Sequence, residues 1–340
     1  MITLEDDCLV FRFPEVHPDA ECRIEFERTL RIPDDNRVHD LPASLGAFPL
    51  QHVEDHAARL PPEWVRHGGV LLPMYQAEAM WISFFRARYG SYPFAIRIAA
   101  GKVNAISGKP WRNALRGRGR RRGTQDYVVI PDQMWLDGFC VNEGLIRQFV
   151  AMPLGEGFTA EEQVSGEAVH GGLQIVVYPM KAARYEEMLE ARRTESSRSV
   201  RRMSRESSDS MGLAPGGLMR QRIDPDKYGP DAWETSASSR CFVHILNSES
   251  WQAATGSPPP TEPITAADYA EAGIPWFHYY DESAAALPGS AALAGMVSVG
   301  EMTLKKGGAP LDSAAPPPET PLVDLDPASL RPTHEQLYGR

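Results

Sequence analysis

The chain has 340 residues, of which 42% are apolar and 24% charged, and a net charge of −10. This is the composition of a soluble globular protein with room for a substantial core, not of a disordered or fibrous one. No apolar run approaches the ~20 residues of a membrane helix, and the acidic start MITLEDDCLVFRF lacks the pattern of a secretory leader, so a cytoplasmic protein is expected.

The opening predicts a hairpin. Cys22 to Ile32 alternates, with Ile24, Phe26, Leu30 and Ile32 on one face and Arg23, Glu25, Glu27, Thr29 and Arg31 on the other, which predicts a half-buried antiparallel strand. If it pairs with residues 8–13 through a turn near His17–Pro18, Cys8 falls opposite roughly residue 26, away from Cys22. With Cys140 and Cys241 also isolated, four reduced structural thiols are expected. Residues 41–67 read as irregular, with a short helix from His52 to Leu60. His52 and His56 stand four apart, but no third ligand accompanies them, and no metal is expected.

Met74, Ala77, Met80, Trp81, Phe84 and Phe85 fall at helical spacing and predict an amphipathic helix ending near Gly90. Phe94–Ile98 and Val103–Ile106 predict a second hairpin, followed by a loop from Arg112 to Arg122 with six arginines and no acid. Strands are expected at Tyr127–Ile130, Leu145–Met152 and Leu173–Tyr178. Between the last two, Thr159 and Glu162 fit a capping box that starts a short helix. A helical pattern from Arg184 dissolves after Glu195 into an Arg/Ser-rich linker. Beyond it come a strand from Cys241, a helix near Ser248–Ala254 and another from Thr265 to Gly273. The aromatic run Ile274–Asp281 is expected to cover apolar surface. The fold class predicted is α+β, mainly antiparallel sheet with a few packed amphipathic helices. A β-rich body spans 1–183, a linker 184–210 and a segment 211–306 that completes the same sheet or docks on it, and a Pro-rich tail covers 307–340.

The segments GGVLLPMYQAEAMW, QDYVVIPDQMWLDG, LIRQFVAMPLGEGFTAEEQ, GGLQIVVYPMK, MGLAPGGLMRQ and SRCFVHILNS together resemble a family of uncharacterised bacterial and fungal proteins. The similarity covers about residues 8–306 apart from the linker, and it implies no established activity.

Three groups of residues carry possible chemistry. Gly155, Glu156 and Gly157 precede the helix start at Thr159, with Gln148 nearby. That is the shape of an anion site, although it lacks a P-loop lysine and a tight strand-to-helix turn has the same sequence. Asp126, Asp137, Arg147 and His170 are candidate acid–base groups, if the fold brings them together. Arg116, Arg118, Arg120, Arg121 and Arg122 suit phosphate or an acidic partner, but the acidic body and the lack of a stacking aromatic in the loop argue against nucleic acid. The leading expectation is a non-catalytic binding or assembly protein, with a protein partner or second copy and no cofactor. The alternative is an enzyme with a carboxylate/Arg/His pocket near 126–170, and nucleic-acid binding comes third.

Overall fold

A computed structural model describes residues 1–84, 91–115, 125–195, 212–278, 286–309 and 322–324. The fold is α+β with mainly antiparallel sheets. The first sheet runs in the order Ile2–Glu5, Cys8–Arg12, Glu21–Thr29, Ala79–Ser83, Leu145–Met152, Gly212–Arg220, Val38–His39. The second runs Val103–Asn104, Phe94–Ala100, Leu173–Pro179, Ser239–Leu246, Val70–Pro73, Gln51–His52. One apolar cluster draws on both: Phe11, Phe26, Ile82 and Phe149 from the first, and Ile96, Ile98, Ile175, Val177 and Val243 from the second. At its margin the Cys140 N–H donates to the Ala105 carbonyl at 2.9 Å, tying the two sheets together. No helix among the described residues is long and apolar enough to cross a membrane.

Strands from the 211–306 segment enter both sheets. Gly212–Arg220 pairs antiparallel with Leu145–Met152, and Ser239–Leu246 pairs antiparallel with Leu173–Pro179. Trp276 packs with Leu30, Leu41, Ile146 and Met219 in a smaller cluster, as the aromatic run implied. Of the expected linker, residues 184–195 belong to the helix Ala182–Glu195; the rest, and residues 310–321 and 325–340 of the tail, lie outside the described residues.

Two expectations are corrected. Met74–Gly90 does not open with a helix: Ala79–Ser83 is a strand, paired with Glu21–Thr29 and with Leu145–Met152. All five of its residues are buried. A strand covered on both faces reads as a continuous apolar run, in which helical spacing appears by coincidence. Residues 85–90 lie outside the described residues. Likewise Glu21–Thr29 is not half-buried, since Glu25, Glu27 and Thr29 on its polar face are all buried. The segment 43–44 lies against them: the Ser44 hydroxyl donates to Glu27 at 2.8 Å, and the Thr29 hydroxyl to the Ala43 carbonyl at 3.1 Å.

The hairpin register sets Leu9 against Ile24, and therefore Cys8 against Glu25; all four cysteines are buried and unbridged. Close strand approach is strictest at Gly138 in the first sheet. A Cβ on Gly138 would lie 1.9 Å from the Arg147 carbonyl oxygen, which is backbone and cannot swing aside. Gly138→Ala is therefore expected to cost about 3 kcal/mol or more, measured as a fall in the urea midpoint at unchanged slope.

A histidine and aromatic cleft on the second sheet

The alternation in Ser239–Leu246 sends Cys241, Val243 and Ile245 into the core and Arg240, Phe242 and His244 to the opposite face. Above them lies the helix Pro62–His67. It starts with proline at its first position, and it ends at Gly68, whose N–H donates to the Trp64 carbonyl at 2.9 Å. Trp64 and His67 stand three apart and share one side of it.

The two elements meet ring to ring. Trp64 stacks on His244 with centroids 4.6 Å apart and planes 23° from parallel. His67 stacks on Phe242 at 4.6 Å and 18°. The Arg240 guanidinium lies 4.6 Å from the Phe242 ring centre, a cation–π distance. His244 Nε2 is 3.0 Å from the Gly68 carbonyl. A carbonyl only accepts, so Nε2 carries the proton. The third wall is Val169–Gln174, held by the buried Glu161 carboxylate, which accepts the N–H groups of His170 at 3.2 Å and Gly171 at 2.9 Å.

Glu63 is the one acid in the cleft lining, against His67, His170 and His244, with Arg240 at the edge. Burial, then the nearby His170 and Arg240, lowers the pKa of His67. Burial brings His244 down to about 4, so it is neutral at ordinary pH. The cleft thus sets a permanent cation, Arg240, beside rings that stack on one another.

The acid–base candidates are tied to different partners. Asp126 pairs with Arg97 at 2.8 Å, both side chains essentially inaccessible. Asp137 accepts from Gln221 Nε2 at 2.6 Å, and burial lifts its carboxyl to about 7. Arg147 donates to the Gly216 carbonyl at 3.2 Å. His170 alone of the four lines the histidine cleft. Gln148 acts as a backbone mimic, donating to the Leu30 carbonyl and accepting the Ile32 N–H, both at 3.0 Å.

The anion-site shape at Gly155–Thr159 is filled by the chain itself. Glu162 accepts the Gly157 N–H at 2.7 Å and the Thr159 N–H at 3.1 Å, completing the expected capping box. Glu156 points to Lys306 at 3.3 Å. His56 bonds Gln51 at 2.6 Å, and among the described residues no group of three or more His, Cys, Asp or Glu is placed to hold a metal. Arg116, Arg118, Arg120, Arg121 and Arg122 lie outside the described residues.

No family model, curated protein or solved structure matches this chain. The site therefore rests on its own geometry. Part of it was visible beforehand, since alternation alone places Arg240, Phe242 and His244 together. The proline start and Gly68-Gly69 stop of helix 62–67 were signals in a stretch read as irregular.

Proposed function

We propose that this chain is a non-catalytic binding protein of the cytoplasm that takes a small anion on the rim formed by Arg240, Phe242, His67 and His170. The observation that carries this is the stack of Arg240 on Phe242 with His67, beside His244 with Trp64, in a cleft lined by a single acid. The rings stack on one another and leave only about 20 Å³ between the walls, so the ligand lies on the rim, where the Arg240 guanidinium favours negative charge. The catalytic alternative is weaker, because Asp126, Asp137 and Arg147 are each engaged in buried or half-buried hydrogen bonds. The four unbridged cysteines suit a reducing compartment. The resemblance to uncharacterised proteins contributes no chemistry to this reading.

Calorimetric titration tests it, with adenosine monophosphate, adenosine and inorganic phosphate as probes at pH 6 and pH 8. Both phosphate-bearing probes are expected to bind and adenosine is not, and the loss caused by His67→Ala should be larger at pH 6 than at pH 8, because an imidazole is more protonated in acid. Arg240→Ala and His67→Ala should each weaken that binding by at least about tenfold. Binding that is absent, or unchanged in both variants, would overturn the assignment.

A further inference from the structure

Where the two sheets join, a cleft of about 190 Å³ opens between three walls, lined by Ile106, Ser107, Lys109, Gln125 and Leu287–Ser290. The first wall is a turn knitted by the fully buried Asn104. Its Oδ1 accepts the N–H of Ile106 at 3.1 Å and of Ser107 at 2.8 Å, and the Ser107 hydroxyl at 3.0 Å. Its backbone N–H donates to the Lys109 carbonyl at 3.0 Å, which closes the turn.

The second wall is Leu287–Ser290. The Leu287 N–H donates to the Ile223 carbonyl at 2.9 Å, and the Ser290 N–H to the Cys140 carbonyl at 3.1 Å. Gly289, at φ +74°, leaves no room for a side chain, since a Cβ there would sit 2.6 Å from the Asn142 backbone. Gln125 forms the third wall. Its side chain donates to the carbonyls of Tyr127 and Asp224 and accepts the Asp226 N–H. All three walls are pinned by buried or half-buried hydrogen bonds, so the space between them is preorganised.

Among the described residues Lys109 is the one charged residue in the lining, and its ammonium has no hydrogen bond or ion pair there. Among the described residues of this lining the half-buried Lys109 meets no carboxylate, the counter-charge that such a group normally gains. Ser107 and Ser290 add hydroxyls, and the Ser290 hydroxyl is not used to cap the short helix that follows it. Ile106, Leu287 and Pro288 supply apolar wall.

The geometry points to a second binding site, for a small aliphatic carboxylate whose charge meets Lys109 and whose carbon chain lies against Ile106, Leu287 and Pro288. The volume holds about six waters, below the range of drug-sized pockets, which excludes a nucleotide and suits an acid of a few carbons. Because the Ser290 wall hangs on Cys140 of the first sheet and the Asn104 turn lies on the second, a bound acid bridges both sheets. It should therefore raise the unfolding temperature.

The test is thermal unfolding and calorimetry with butyrate and succinate, at ionic strength held constant with sodium chloride, and inorganic phosphate in parallel. One of the carboxylates is expected to stabilise saturably at one site per chain. Lys109→Met and Lys109→Gln should each weaken it by at least about tenfold, whereas His67→Ala and Arg240→Ala should leave it unchanged. The last comparison separates this site from the histidine cleft, so either can fail alone. No saturable carboxylate binding, equal binding in both Lys109 variants, or a response to phosphate alone would overturn it.

Discussion

Replacing Asp126 with alanine is expected to cost about 3–5 kcal/mol of folding stability, seen as a large fall in the urea midpoint. Arg97 stands in the middle of Phe94–Ala100, in register with Val176 and, one strand further, Arg240. Its guanidinium and the Asp126 carboxylate meet at 2.8 Å, with side-chain exposures of 1% and 0%. The same guanidinium donates to the carbonyls of Arg112 and of Ala114, the latter at 2.9 Å, and lies 5.1 Å from the Trp111 ring centre. Truncation removes the facing charge and leaves the cation buried, which is the expensive way to break such a pair. Removing both charges is a different experiment: Arg97→Met with Asp126→Leu should recover part of the loss. Recovery should be incomplete, because the carbonyls of 112 and 114 then lose their donor. A loss below about 1 kcal/mol for Asp126→Ala would mean that water reaches the pair and that the outer face of the second sheet is more open than its packing implies.

Local features were legible in the sequence because their partners are close in the chain. Thr159 reaches Glu162 within one helical turn and the box forms, and Thr265 caps its helix as its position implied, with Asp268 completing a second box. The β-rich run Leu173–Tyr178 and the run from Cys241 likewise read as strands, and they lie in Leu173–Pro179 and Ser239–Leu246. What alternation cannot report is whether a second layer covers the polar face. Glu25 and Glu27 look like solvent-facing residues, yet Ser44 bonds Glu27 inside the protein. The same limit misdirected the reading of Ala79–Ser83, where burial on both sides erased the period. At the site, three residues of one strand were predictable as neighbours, whereas Trp64 and His67 come from far upstream and meet them only through tertiary packing. The glycine turn at 155–157 showed the right shape for an anion, and its own Glu162 supplies that anion.

Acidification from pH 6.5 towards pH 4 is expected to cost about 3 kcal/mol through His244 alone. Its ordinary value is 6.5, and burial in the fold brings it to about 4. Between those values the unfolded chain takes up the proton and the folded chain resists it. The stability that neutral His244 confers is therefore complete above 6.5 and is lost as pH falls to 4. Two buried acids work in the other direction. Burial raises Asp137 to about 7, and it raises Glu78 to about 8 despite Arg28 at 3.4 Å. Their protonated forms favour the folded state, so their contribution is complete below pH 4 and is lost as pH rises through 7 and 8. Total stability therefore need not fall in acid, and the wild-type curve alone cannot isolate the histidine. His244→Phe can, because a phenyl ring retains the stack on Trp64 but does not titrate. The stability advantage of wild type over this variant should shrink by about 3 kcal/mol between pH 7 and pH 4; parallel curves would sink the idea. The consequence reaches the cleft. His67 faces Glu63 and Arg66 on its own helix and His170 and Arg240 across from it, and its pKa is lowered by burial and then by those last two charges. It therefore gains its proton at a lower pH than an ordinary imidazole does. Anion binding should weaken near pH 4, when a charged His244 loosens the strand and helix that hold the rings together.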